Sequence, residues 1–283
     1  MAAIAPVRPS PIAGIWYEGR PDLLAQEVDR YVAEAMLPAL EGNVIAVVAP
    51  HAGHRYSGPV AGHAFAALRG QHPELAAVLS PMHAPHPSSL ITSAHDAYST
   101  PLGAVPVDKT GLNALDSRLT RELGRGLTPV GYDREHSLEI ELPFLQRVLA
   151  GPFALLPIMV RTVEARVSRA LGVALADTVR GRACFLVAST DLSHYFPQSQ
   201  AEAMDAQVLA CLEAFDPEGL FDLEASGRGQ ACGLGALAAT LWAARELGAD
   251  SVKILNYATS GNVTGDYSAV VGYGAAAIFK AGH

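Results

Sequence analysis

Four segments of the chain place acids, imidazoles and a thiol at spacings that could do chemistry. His51 stands two residues past the apolar run 44–49, and His83 stands four past the run 75–79. Two imidazoles delivered from the ends of neighbouring strands can share one metal ion, because a neutral imidazole nitrogen is a good ligand for zinc, copper and iron. The run 183–188 leads into Asp191-Leu192-Ser193-His194-Tyr195, an acid and an imidazole three residues apart in one turn. Asp191 there can orient a ring or bind metal, or simply cap a turn; His194 can act as general acid or base. Glu135-His136-Ser137 opens a segment rich in Leu and Glu, where Glu135 either matches a helix dipole or belongs to an active site. Cys232, in Gln230-Ala231-Cys232-Gly233, is expected to open a helix, a position that favours thiolate and hence a metal ligand or a nucleophile. Cys184 and Cys211 read as inert, inside a strand and a helix. Arg55 and Tyr56, just past His51, can meet an anionic or aromatic substrate.

These residues need a scaffold that brings strand ends together. The apolar runs 44–49, 75–79, 153–160, 183–188, 252–257 and 268–279 read as strands buried on both faces. Helical patterns separate them, at 58–68, 137–149, 163–179, 201–214 and 232–247, with a kink or break expected at Pro143. Strand alternating with helix predicts an α/β fold, a mainly parallel or mixed sheet with helices on both faces. Ligands in such folds gather at the carboxyl ends of the strands, where these histidines fall.

Composition agrees. Of 283 residues 50% are hydrophobic and 17% charged, which excludes disorder as the main state. The net charge of −8 argues against a nucleic-acid partner. Three cysteines cannot form a disulfide framework, so a reducing, cytoplasmic setting is expected. No apolar stretch has the length of a membrane span, and residues 1–16 are broken by prolines, so neither membrane nor signal peptide is expected. Without repeats or linkers, one domain over 1–283 is expected, and a homodimer is the base-rate assembly. CxxC, HExxH, Walker and Gly-x-Ser-x-Gly motifs are all absent.

Taken in order, these positions resemble the Memo family, whose bacterial and archaeal members are called AmmeMemoRadiSam system protein B. The resemblance rests on Ala49-Pro50-His51-Ala52-Gly53-His54-Arg55-Tyr56-Ser57-Gly58, the His83 loop, Thr100-Pro101-Leu102-Gly103 and Glu135-His136-Ser137-Leu138-Glu139. It continues through Leu142-Pro143-Phe144-Leu145, Asp191-Leu192-Ser193-His194-Tyr195, Cys232-Gly233, Tyr257-Ala258-Thr259-Ser260-Gly261 and Val270-Val271-Gly272-Tyr273. The chain departs from the family pattern at His54, where Tyr is usual, and at Met82, where Ser is usual.

The resemblance implies a fold similar to the class III extradiol dioxygenases, which hold non-haem Fe(II) with two histidines and a glutamate. It gives His51 and His83 the two histidine places, Cys232 the glutamate place, and His194 the catalytic histidine, with Asp191 in its loop; Asp191, Glu135 and His136 join His194 as catalytic candidates. His54, Arg55 and Tyr56 then become substrate-binding candidates. The implied function is dioxygenase-like oxidation of a catechol or other small aromatic molecule with Fe(II). The alternatives are a non-enzymatic copper- or iron-binding redox or peptide-adaptor protein, and a zinc-dependent hydrolase. Functional association with a radical-SAM protein and an AMMECR-type domain protein is implied by the family label.

Overall fold

Short β-branched and Ala-rich runs separated by amphipathic helices fold here as an alternating α/β chain. The computed structural model describes residues 4–282; positions 1–3 and 283 of the expected domain, including the start of the stretch read for a signal peptide, lie outside the described residues. The order is β1 (Val7–Arg8), α1 (Pro21–Glu34), β2 (Gly42–Ala49), α2 (His54–Ala66), β3 (Leu75–Pro81), β4 (Leu90–Ser93), β5 (Ala97–Thr100), β6 (Gly103–Pro106), α3 (Lys109–Leu123) and β7 (Thr128–Val130). A 3₁₀ turn (Glu139–Glu141) follows, then α4 (Leu142–Val148), β8 (Ala154–Val160), α5 (Ala165–Val179), β9 (Cys184–Ser189), β10 (His194–Phe196) and α6 (Gln198–Glu213). The chain closes with α7 (Pro217–Ala225), α8 (Leu234–Glu246), β11 (Ser251–Thr259), α9 (Gly261–Thr264) and β12 (Val270–Ala281).

Nine strands form one mixed sheet in the order β10-β12-β2-β9-β3-β8-β4-β7, with β11 paired to β12. Its centre, β2-β9-β3-β8, is parallel throughout. β12 runs antiparallel to β2, and β4 antiparallel to β8. β1, β5 and β6 make a separate small sheet. Helices α5, α7 and α8 form one packed group against the sheet, and α1, α2 and α4 another. The central strands end in buried residues, so their carboxyl ends present one shared edge from which the next loops leave.

One expectation is met in a specific way and one changes. Pro143 does break the 137–149 segment, and it does so by serving in the first turn of α4, where its missing N–H costs nothing. β11 is not buried on both faces: it pairs only with β12, and exposed and half-buried residues alternate with its buried ones. Elsewhere close packing is tight enough to predict an effect. A Cβ on Gly172 of α5 would lie 2.6 Å from the Ala239 carbonyl oxygen and 2.7 Å from Trp242 Cβ on α8. Gly172→Ala is expected to lower stability by about 1–3 kcal/mol, since neither backbone can move without disturbing the helix pair. An unchanged urea midpoint would contradict this helix contact.

Candidate metal centre

The loops leaving β2, β3 and β9 meet at the carboxyl edge of the parallel strands. His51 follows β2, His83 follows β3, and Thr190 and Asp191 follow β9. A fourth loop, after β7, brings Glu135 and His136 in from the side. Among the described residues, His51, His83 and His136 form a three-imidazole group: one ring nitrogen of each lies within 4.8 Å of the other two. His51 is buried, His136 half-buried and His83 exposed, so the group faces outward from the sheet edge. The rings of His83 and His136 stack at 4.8 Å between centroids, and His51 meets both edge-on.

Each ring is held from behind. Glu135 Oε1 accepts from His83 Nδ1 at 2.9 Å, while the Glu135 carboxylate also accepts the backbone N–H groups of His83, His136 and Ser137. His51 Nδ1 lies 2.9 Å from Ser189 Oγ. The register that aligns Ala49 with Ser189 across β2 and β9 makes this contact: His51, two residues beyond, folds back over its neighbour. Trp16 covers His136, ring centroids 4.0 Å apart. With their Nδ1 atoms tied to these partners, His51 and His83 keep Nε2 for a metal, the arrangement of a built metal site. The residues therefore fit one ion bound by imidazole.

The loop carrying Glu135 and His136 is fixed from a distance. Arg8, buried at the end of β1, donates to Asp133 at 2.7 Å, to Glu139 and to the Glu135 carbonyl at 2.7 Å. Tyr17 and Ser10 add hydrogen bonds to Glu139.

Electrostatics separates the three rings. Burial, together with the neighbouring rings, holds His51 well below the usual imidazole range. Burial also lowers His136 to about 4, with Glu135 opposing. Burial works against a charged His83 too, yet the hydrogen bond and charge of Glu135 outweigh it and raise His83. Burial likewise opposes the Glu135 charge, and the His83 contact with the backbone N–H bonds reverses this to hold the carboxylate far below its ordinary value.

Because His136 stays neutral in the fold, its contribution to stability is complete above about pH 6.5, where the unfolded chain is also neutral, and is lost as pH falls toward 4. His51 acts in the same direction; His83, raised, acts oppositely, stabilising at low pH and losing that contribution as pH rises through its folded value. The metal-free protein is expected to weaken between pH 6.5 and 4, and His136→Asn to flatten that slope. Urea denaturation at several pH values checks this; equal slopes in the two proteins would contradict it.

The other expected site residues fall into three places. Cys232 is beside the group rather than in it. Its Sγ lies 3.1 Å from His51 Nε2 and accepts from the Asp191 N–H at 3.2 Å. In this geometry His136, read from sequence as catalytic, stands with the two histidines where Cys232 was expected. Cys232 precedes the N-cap Gly233, and in the metal-free fold burial and then the Asp191 charge push its thiol up. Burial does the same to Cys184 and Cys211, to about 12 and about 11.

Asp191 is a clamp for the His51 loop. Its Oδ1 accepts the His51 N–H at 2.8 Å, its own backbone exchanges contacts with Cys232, and burial raises it to about 7. His194 is half-buried, with Nδ1 2.8 Å from the Leu192 carbonyl, which can only accept, so Nδ1 carries the proton and Nε2 the lone pair. Burial lowers it, so it is neutral near pH 7. Tyr195 beside it is exposed with φ 64°, a left-handed conformation that costs a bulky residue about 1–3 kcal/mol and is concentrated at functional sites.

Of the substrate candidates, Arg55 and Tyr56 are exposed, the guanidinium 5.7 Å above the Tyr56 ring. Burial pushes the Tyr273 phenol up, with the charges of Asp191, Tyr56 and Tyr195 adding to the shift. His54 does not join Arg55 and Tyr56. As the first residue of α2 it turns inward, packs against Tyr17, Tyr31 and Phe144, and places Nε2 3.2 Å from the Ile140 carbonyl and Nδ1 3.6 Å from Glu27. A cavity of about 200 Å³ opens between His83 and Cys232, bordered by Met82, Val160, Leu234 and Glu224. Sequence reasoning missed Ser189, Glu141, Arg8 and Trp16. No motif marks them, although Ser189 closes a strand whose successor residues were singled out.

Comparison with known proteins follows the same outline. The family model described as Memo-like protein matches residues 8–277. A MEMO1 family protein of Methanopyrus kandleri is 38% identical over 239 residues, 83% of each chain. One from Nitrosopumilus maritimus is 32% identical over 278 residues, covering 95% of this chain and 98% of that one. One from Methanothermobacter thermautotrophicus is 35% identical over 277 residues, covering 94% and 98%.

Proposed function

The chain belongs to the Memo family, and from that premise we propose that it is a metal-dependent, dioxygenase-like oxidoreductase acting on a small aromatic substrate. The observation that carries the reading is the convergence of His51, His83 and His136 at the sheet edge, two of them with Nδ1 held from behind. Iron(II) is the favoured ion: His51, His83 and His136 would hold it, and with positions left open it would supply O2 activation beside a bound catecholate.

The residues around it have separate tasks. The cavity between His83 and Cys232, about 200 Å³ with Met82, Val160 and Leu234 beside the polar Arg161, Glu224 and Gln230, is the candidate place for a small polar aromatic ring. Neutral His194 accepts a substrate hydroxyl proton at Nε2, its Nδ1–H remaining on the Leu192 carbonyl. Asp191 holds the His51 loop in place, and exposed Tyr56 with Arg55 offers aromatic and cationic contacts to a substrate.

A second reading has its own observation. Cys232 Sγ next to His51 Nε2 offers a soft fourth donor, which suits copper or zinc better than an iron oxygenase site. Copper storage or redox exchange without turnover then replaces oxygenation, and zinc would point to hydrolysis with an activated water.

Protein purified without oxygen or chelators, assayed for bound metal and for O2 uptake on a catechol panel, tests the reading. Iron with uptake supports it; copper or zinc with no uptake overturns it in favour of the second. His194→Ala is expected to keep the metal and lose turnover by roughly 10²–10⁴-fold, the usual contribution of a positioned acid or base. Loss of metal in that variant would make His194 a ligand.

A further inference from the structure

Ser189, at the end of β9, has more close polar neighbours than an ordinary hydroxyl. Its Oγ lies 2.7 Å from the Ser137 carbonyl, 2.6 Å from Glu141 Oε1 and 2.9 Å from His51 Nδ1. Ser189, Ser137 and Glu141 are all fully buried. Glu141 Oε2, also buried, has no hydrogen-bond partner among the described residues. A carboxyl group so placed does not belong to the metal group, and nothing derived above uses it.

Counting protons assigns the contacts. A hydroxyl has one proton to give and two lone pairs, and a carbonyl oxygen only accepts. If Ser189 gives its proton to Ser137, the other two neighbours must donate to it: Glu141 from Oε1 and His51 from Nδ1. Giving the proton to Glu141 instead leaves Ser189 and Ser137 oxygens facing each other at 2.7 Å with no proton between them. Giving it to His51 leaves the same pair without a proton, and a second one with Glu141 if that carboxyl is ionised. An ionised Glu141 would also carry a charge into the core with one oxygen unpartnered, which proteins avoid.

We propose that Ser189, together with a proton-bearing Glu141, locks the His51 ring as the Nδ1–H tautomer, so that Nε2 presents its lone pair at the metal position. Burial independently moves Glu141 well above its ordinary value, with Asp191 adding to the shift and the Ser189 bond opposing it. Glu141 and Ser189 are positioning residues: they act through His51 and touch neither metal nor substrate. The inference rests on His51 being a ligand for its consequence, while the tautomer itself exists without metal.

The test therefore starts with metal-free protein. Nitrogen-15 NMR of the histidine rings at neutral pH is expected to show His51 with a protonated Nδ1 and an unprotonated Nε2. Infrared difference spectra of the protein against Glu141→Gln are expected to show a carboxylic-acid C=O band. Glu141→Gln, whose amide can donate in place of the acid, keeps the tautomer. Ser189→Ala loses it and weakens zinc binding by roughly 10–100-fold, as expected for a ligand's supporting partner. His51 protonated on Nε2, a carboxylate band for Glu141, or Ser189→Ala with tautomer and zinc affinity both retained would overturn the proposal. Should Ser189→Ala fail to fold, the spectra of the other two proteins decide. A wild-type protein with the expected tautomer and no metal affinity would instead overturn the proposed function.

Discussion

His136→Ala is expected to abolish stoichiometric metal binding while the fold survives. The ring is half-buried; its contacts are the stack on His83, the edge of His51, the cover of Trp16 and a 3.3 Å approach of Nδ1 to Glu135 Oε1. Removing it takes one of three nitrogens from the group. Loss of an outer partner of a metal ligand already costs roughly 10–100-fold in affinity, so loss of a ligand costs more. His51→Ala and His83→Ala are expected to behave alike, with His83→Ala also leaving Glu135 without its imidazole partner. Cys232→Ser is expected to keep the ion. Metal titration of the four variants with zinc as probe, alongside circular dichroism, separates ligand loss from unfolding. Full stoichiometry in His136→Ala with loss in Cys232→Ser would restore the thiol to the ligand set.

The largest effect on stability is expected at Arg8. The guanidinium is buried against Asp133 and Glu139, themselves shielded from solvent. Burial raises Glu139 although the Arg8 charge and the Ser10 and Tyr17 hydrogen bonds all oppose the shift, and Arg8 is the cation among these partners. Arg8→Met leaves both carboxylates without a cation and is expected to cost about 3–5 kcal/mol. Arg8→Met with Glu139→Gln is expected to recover part of this by removing one stranded charge. The single variant also frees the Glu135 carbonyl, so metal affinity should fall with stability. Urea denaturation of the three proteins checks the order; a loss under 1 kcal/mol for Arg8→Met would mean the network carries little of the fold.

How much of this was legible in the sequence depends on how local each cause is. His51, His83 and Asp191 could be placed together because apolar runs end just before them and parallel strands share an edge. The three-ring group could not. His136 reaches it on an irregular loop whose position is set by Arg8, more than a hundred residues upstream, and no spacing rule spans that gap. His54 misled for a geometric reason: it is three residues past His51, yet α2 begins there and its first turn aims the ring into the core. Cys232, singled out from its place before a helix, does lie against His51, while burial and then Asp191 push its thiol up in the metal-free fold. Helix α1 was readable in principle. Leu24, Val28, Tyr31 and Val32 are its buried stripe at helical spacing, although few strongly apolar residues surround them.

The central claim is that His51, His83 and His136 together hold one metal ion. X-ray absorption at the edge of the metal bound by protein prepared without oxygen or chelators tests it most directly. The expected result is a first shell with three imidazole nitrogens at about 2.0–2.1 Å for zinc, with the outer scattering of three rings. A shell dominated by sulfur, or one with fewer than three imidazoles, would contradict it.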